Sequence, residues 1–244
     1  MANERLRATL LERGMTPADL AQPLEVDAKT VERWIRGRVP YRRHRYAVAA
    51  MLKVDESYLW PEALSADQVT SASESEIITV YPQRWMVPRD SWGHLFDSAE
   101  SEIGILAYSG FFLADDGGLR SLLLDKAAAG VRVRLLLGDP DSPEVAERGT
   151  EEGIDDAMPA KVRNALAMLG SLRDAEGVEL YLHGTPLYNS IYRSDDQLLV
   201  NCHVYGVPAS EAPVLHLRRV AGGSMVRTYL DSFERVWAAS RPVD

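Results

Sequence analysis

A single cysteine, Cys202, is all the thiol this chain has, so no disulfide can form within it. Sitting in the apolar run "LLVNCHVYG", it reads as a buried, inert thiol of a reducing compartment. Long hydrophobic runs are missing too: the longest, such as "VRVRLLL", are broken by arginines and fall far short of the ~20 residues a membrane span needs. The opening "MANERLRATLLERG" is charged and amphipathic, without the uninterrupted apolar core of a secretion signal. These absences predict a cytoplasmic protein with no membrane partner. The five histidines, His44, His94, His183, His203 and His216, show no metal-ligand spacing, so neither a metal nor another cofactor is expected. No Walker loop, G-x-G-x-x-G or G-x-S-x-G occurs, which removes the common nucleotide-binding and hydrolase signatures. Positive charge is also scarce, with 27 Lys plus Arg against 36 Asp plus Glu, a formal charge of -9.

What is present is an ordinary folding composition, 46% hydrophobic and 26% charged, on 244 residues, enough for a small domain and a medium one. Charge is unevenly placed. Residues 1–63 hold 11 Lys plus Arg and 9 acids, net +2, while the remainder holds 16 and 27, net -11. From Arg33 to Arg45 there are six arginines and no acid. A basic patch on an acidic chain points to a separate module that meets a polyanion, with the rest of the surface repelling it.

The patterning divides at the same place. Residues 64–76, rich in Ser, Ala and acids, have no apolar periodicity and read as a linker. Before it, in residues 1–63, every element reads as helical. After it, in residues 77–244, strand-like runs ("IITVY", "IGILAYS", "VRVRLLL", "VELYL", "DQLLVNCHVYG", "VLHLRRV") alternate with helical ones ("SWGHLFDSAE", "GLRSLLLDKAAAG", "PAKVRNALAMLGSLRDA", "SMVRTYLDSFERVWAAS"). That alternation predicts an α/β sheet covered by helices, and an α plus α/β chain overall. The stretch 139–156, with eight acids and one arginine, reads as a solvated loop.

In the first module the helix signals are explicit. Thr16 is a cap, Pro17 suits the first helical position, and Asp19 stands at capping-box spacing from Thr16. A second helix starts at once in "VDAKTVERWIRG", with Asp27 as cap and Gly37 as a left-handed stop. At 100° per residue, Ala28, Val31, Trp34 and Ile35 share one side and Lys29, Arg33 and Arg36 the other. A helix with a core face and a cationic face, flanked by Arg38, Arg42, Arg43 and Arg45, has the electrostatics to enter a major groove while its neighbours grip phosphates. Lys29 and Thr30 stand near its N-terminus, within reach of base edges.

"MTPADLAQPLEVDAKTVERWIRGRVP" followed by "YAVAAMLKVDESYLW" resembles the DNA-binding domain of the Cro/C1 (XRE) helix-turn-helix repressors over nearly all of residues 3–60. Two departures stand out. That family usually has Gly in the turn where this chain has Glu25, and Pro23 falls late in the first helix of the pair. The second module resembles the phospholipase D superfamily, one catalytic half-unit long, in "SAESEIGILAYSGFFLADDGGLRSLLLDKAAAGVRVRLLLGDPDS", "GVELYLHGTPLYNSIYRSDDQLLVN" and the closing "YLDSFERVWAAS". Catalytic members carry His-x-Lys-x4-Asp; counting back from Asp195, this chain has Ser190 in the Lys position and Tyr188 in the His position.

The resemblances imply a sequence-specific transcriptional regulator that binds double-stranded operator DNA as a homodimer. Its phospholipase D-like domain is expected to be catalytically degenerate, not an enzyme, and to pair chains and sense a small-molecule effector. The DNA-contacting set is Lys29, Thr30, Arg33, Arg36, Arg38, Arg42, Arg43 and Arg45; the candidate ligand set is Tyr188, Ser190, Asp195, Asn201 and His203. A phosphodiesterase or nuclease targeted to DNA, with His183 or His203 as nucleophile, is the alternative. An antitoxin or scaffold is a third reading.

Overall fold

A computed structural model describes residues 2–63 and 74–243. They form two compact units, one of residues up to Glu76 with Val220–Met225, the other of Ile77–Arg219 with the residues from Val226 onward. Of the linker expected at 64–76, residues 64–73 lie outside the described residues and 74–76 are helical.

The first unit is helical: α1 (Glu4–Glu12), α2 (Pro17–Ala21), α3 (Ala28–Ile35), α4 (Arg42–Leu52) and α5 (Glu56–Leu59). The Thr16 hydroxyl accepts from the Asp19 amide at 3.3 Å and the Asp19 carboxylate accepts from the Thr16 amide at 2.7 Å, so the capping box closes. Helix α2 stops at Ala21, two residues before Pro23, whose ring and missing N–H would break a further turn. Glu25 takes the glycine-like left-handed conformation, φ 53°. Asp27 caps α3 through the Lys29 amide at 2.8 Å. Gly37, at φ 104°, lets the Arg38 amide reach back to the Arg33 carbonyl at 2.9 Å. Leu6, Leu10, Leu20, Val31, Trp34, Val48, Leu52 and Trp60 make the core, and burying such side chains stabilises the unit by about 1.5–3 kcal/mol each.

The second unit is an eight-stranded mixed sheet: β1 (Ile77–Tyr81), β2 (Glu102–Ala107), β3 (Arg132–Gly138), β4 (Val178–His183), β5 (Asn189–Ser194), β6 (Gln197–Cys202), β7 (Val214–Arg218) and β8 (Arg241–Pro242). Their order is β1-β7-β6-β5-β2-β3-β4-β8. Strands β2, β3 and β4 run parallel, whereas β5 is antiparallel to β2 and continues through β6, β7 and β1 as antiparallel neighbours. The connecting helices are α6 (Arg89–Asp97), α7 (Phe111–Asp115), α8 (Gly117–Ala128), α9 (Pro143–Glu151), α10 (Ala157–Met168) and α11 (Gly170–Arg173), and α12 (Met225–Ala238) precedes β8.

One sheet face carries Ile103, Ile105, Val133, Leu135, Leu180, Tyr192 and Leu199, packed against Trp92, Phe96, Leu119, Leu123 and Leu172 of α6, α8 and α11. The other meets α12. There Gly104 leaves room for the Phe233 ring, which would stand 3.0 Å from an added Cβ. Buried Arg134 lies over Phe233 and Trp237 and donates to Glu102 at 2.5 Å and to Glu234 at 2.8 Å. The aromatic faces and the two carboxylates offset the cost of burying a guanidinium.

The acid-rich stretch read as a solvated loop is corrected: Pro143–Glu151 is the helix α9, capped by Ser142, whose hydroxyl accepts from Val145 at 3.3 Å. Its one arginine, Arg148, is buried and holds Glu151 at 3.2 Å and Glu152 at 2.6 Å. Those pairs neutralise like charge that composition alone takes for solvent-facing. Cys202 is half-buried, and burial raises its thiol pKa, which suits an unreactive sulfur.

Candidate functional site

Two surfaces carry chemistry, one in each unit. In the first, the geometry of α3 places Val31 and Trp34 in the core, leaving Lys29, Arg33 and Arg36 exposed on the opposite side. Arg38, Arg42 and Arg43 are exposed as well, and Thr30 is half-buried. Thr30, Arg33, Arg38, Arg43 and His44 border one groove of about 370 Å³. Arg36 pairs at the surface with Glu32 at 3.1 Å, and Arg42 donates to the Tyr46 hydroxyl at 3.2 Å. Arg45 is corrected. Its Nε donates to Glu56 at 2.5 Å and its Nη1 to the Pro40 carbonyl at 3.0 Å, with both ion-pair side chains only 15% exposed. It ties α4 to α5.

In the second unit a pocket of about 170 Å³ opens at the C-terminal end of β2, where β5 begins and β6 ends. Open α/β sheets put their crevices at such strand ends. Ser190, 4% exposed on β5, points its hydroxyl to His203 just past β6, with Oγ to Nε2 at 3.0 Å. The other ring nitrogen of His203, Nδ1, lies 3.0 Å from the Leu187 carbonyl. A carbonyl only accepts, so Nδ1 carries the proton and Nε2 presents its lone pair to the serine O–H. Burial pushes the His203 pKa down to about 4, which keeps the ring neutral near pH 7. Tyr108 stacks on the imidazole at 5.6 Å and accepts the Leu187 amide on its hydroxyl at 2.9 Å, so one loop residue positions both rings.

Arg84, from the turn after β1, and Lys161, from α10, line the same pocket. Arg84 is held over the Phe112 ring at 4.3 Å, and neither cation has a carboxylate partner among the described residues. Glu152 also borders the pocket, but Arg148 holds it. Tyr192 is fully buried, and its hydroxyl has no hydrogen-bond partner among the described residues. The pocket therefore offers donors and positive charge beside a serine and a neutral imidazole.

Of the candidate ligand set, only Ser190 and His203 join their side chains, while the Tyr188 carbonyl accepts from the His203 amide at 2.9 Å. Tyr188 is 83% exposed and borders an adjoining cavity of about 440 Å³ with Glu144, Glu147 and Tyr205. Asn201 lies opposite Ser190 on the ladder and is fully buried, its amide donating to the carbonyls of Ala212 at 3.3 Å and Pro213 at 3.2 Å, with no hydrogen-bond partner for its Oδ1 among the described residues. Asp195 does not line this pocket. At the far turn of the β5–β6 hairpin, with φ 47°, it accepts the amides of Glu100 at 2.7 Å, Ser101 at 3.0 Å and Glu102 at 2.7 Å. Those bonds fix the hairpin and, despite burial, lower its pKa. His183 is buried too, with Nε2 at 3.2 Å from the Ala107 carbonyl and Nδ1 accepting from Thr185, an arrangement that anchors β4. Arg84, Lys161, Tyr108 and Tyr192 have no motif around them, and only folding gathers them.

No family model matches the chain, and no curated protein sequence matches it. Solved structures similar to it include Nuc from Salmonella typhimurium, a phospholipase D family member, at a TM-score of 0.38 and 16% identity over 64% of this chain and 90% of that one. NucT from Helicobacter pylori gives a TM-score of 0.44 at 10% identity, covering 68% of this chain and 96% of that one. TrmBL2, an archaeal chromatin protein described as showing a novel mode of DNA binding, gives 0.42 at 14% identity, over 82% of this chain and 64% of that one. The second unit by itself is a mixed α/β sheet with covering helices. The expectation that the chain is not an enzyme is withdrawn: one of these similar structures is described as a phospholipase D family member. That expectation rested on the missing His and Lys at positions 188 and 190 and took no account of a serine facing an imidazole across the hairpin. Among the described residues no helix is long and apolar enough to cross a membrane.

Proposed function

We propose that this chain is a phosphodiesterase of phospholipase D-like architecture that its N-terminal helical domain directs to double-stranded DNA. The observation that carries the reading is the pairing of two cations lacking carboxylate partners among the described residues, Arg84 and Lys161, with the Ser190–His203 contact in one pocket. Unneutralised cations beside a neutral polar pair suit a phosphate ester, whose charge they offset and whose developing oxyanion they stabilise. Purified full-length protein is expected to hydrolyse bis-p-nitrophenyl phosphate, with Lys161→Ala raising KM. Absence of turnover on that diester and on plasmid DNA, under conditions where the protein is folded, sinks the reading.

A regulatory reading is favoured by a different observation, the groove bordered by Thr30, Arg33, Arg38 and Arg43 beside an exposed cationic face of α3. In it residues 16–36 are a helix-turn-helix of Cro/C1 type, the second unit pairs two chains, and a small effector biases operator affinity. Two copies then read half-sites about one helical turn of DNA apart, or a multiple of that. Mapping the sites bound across the genome tests it: paired half-sites at constant spacing support regulation, and scattered sequence-independent occupancy removes it.

A further inference from the structure

Resting on the phosphodiesterase reading above, we propose that Ser190 is the nucleophile of this pocket and His203 its general base, for displacement at phosphorus. The position where the resemblance would put a lysine thus holds the attacking group.

Geometry carries the assignment. The Ser190 Oγ lies 3.0 Å from Nε2, within proton-transfer reach, and the Leu187 carbonyl at 3.0 Å from Nδ1 selects the tautomer whose Nε2 lone pair faces the hydroxyl. Third-group orientation of the base by an acceptor on its far nitrogen is the logic of serine nucleophiles on unrelated folds, here with a backbone carbonyl in place of a carboxylate. Stacking of Tyr108 and anchoring of its hydroxyl to the Leu187 amide hold ring and carbonyl in one frame. The substrate class follows from the remaining lining. A carboxylic ester is neutral and leaves Arg84 and Lys161 uncompensated, whereas a phosphodiester brings one negative charge and two non-bridging oxygens. The Tyr192 hydroxyl, buried without a partner among the described residues, is a further donor at this site. At about 170 Å³ the pocket takes a phosphoryl group and its nearest substituents.

In the first half-reaction the Ser190 O–H proton passes to Nε2 of His203, the Oγ–P bond forms, and the P–O bond to the leaving group breaks. The departing alkoxide takes the proton back from the imidazolium. In the second, a water gives its proton to Nε2 and bonds to phosphorus as the Oγ–P bond breaks. Ser190 recovers a proton from the imidazolium and a phosphomonoester leaves. No oxidant or further reactant is needed.

The test uses the full chain and a fluorophosphonate, read by intact mass and peptide mapping. One adduct is expected, on Ser190, absent in Ser190→Ala and formed about a hundredfold or more slowly in His203→Gln. No adduct on wild-type protein, an adduct elsewhere, or an unchanged rate in His203→Gln overturns the assignment. Mapping the adduct on wild-type protein does not depend on the variants' folding. Hydrolysis of bis-p-nitrophenyl phosphate run alongside separates the two proposals. Turnover that persists in Ser190→Ala overturns this inference and leaves the phosphodiesterase reading standing. Labelling at Ser190 without diester turnover supports the nucleophile and overturns that reading.

Discussion

Lowering the pH should loosen the second unit through His203. Its ring has a pKa of about 4 in the fold against 6.5 for the free side chain, because burial disfavours the charged form. Between those values the unfolded chain binds a proton that the folded one refuses, so the stability His203 contributes is present above about pH 6.5 and is lost as the pH falls toward about 4. At 1.36 kcal/mol per pH unit, the loss works out to about 2 kcal/mol between about pH 8 and pH 5, and about 3 kcal/mol once both states are protonated. His183 and His216 are also depressed by burial and steepen the same limb. The measurement is urea unfolding at the two pH values, followed by hydrogen exchange in peptides from β5 and β6. His203→Gln is expected to be less stable at pH 8, since it disturbs the Ser190 and Leu187 contacts, and to show a pH dependence smaller by about 2 kcal/mol. A variant with the wild-type pH dependence refutes the reasoning, as does a wild-type His203 resonance that titrates near its ordinary value.

Arg33→Ala is expected to weaken binding to double-stranded DNA in fluorescence anisotropy and to reduce its salt dependence while leaving the melting temperature unchanged. Arg45→Met should do the reverse: it strands Glu56 and costs roughly 2–3 kcal/mol in thermal unfolding, with a smaller effect on DNA affinity. Glu25→Gly relieves a left-handed residue and should raise stability by up to about 1 kcal/mol, a gain that Glu25→Ala should not reproduce. Asp195→Asn removes the charge from a carboxylate accepting three amides and is expected to cost about 2 kcal/mol in denaturant unfolding, leaving Ser190 labelling intact.

Much of the helical unit was legible because its signals are local. Thr16, Asp19, Asp27 and Gly37 act on atoms within four residues of themselves, so their spacing alone predicts where α2 and α3 begin and end. The cationic side of α3 is equally a matter of 100° per residue. Arg45 fails the same treatment since its partner, Glu56, is eleven residues away across a helix junction. Likewise α9 hides in an acidic run whose repulsion is offset by Arg148, whose Nη2 also reaches the Val207 carbonyl at 3.2 Å. Strand β5 shows no clean alternation, as Ser190, Ile191 and Tyr192 are all buried in a central strand covered on both faces.

Composition and local spacing therefore determined an acidic chain with a basic helical head, alternating strands and helices behind it, and no disulfide. Tertiary structure decided which residues meet. Ser190 and His203 are thirteen positions apart and become partners because the β5–β6 hairpin sets its register by the Ser190–Asn201 pair. Arg84 and Lys161 join them from a turn and a helix on other parts of the chain. Spacing encodes contacts along one element, where geometry is fixed by backbone period; contacts between elements depend on how the whole core packs, and no short stretch of sequence carries that.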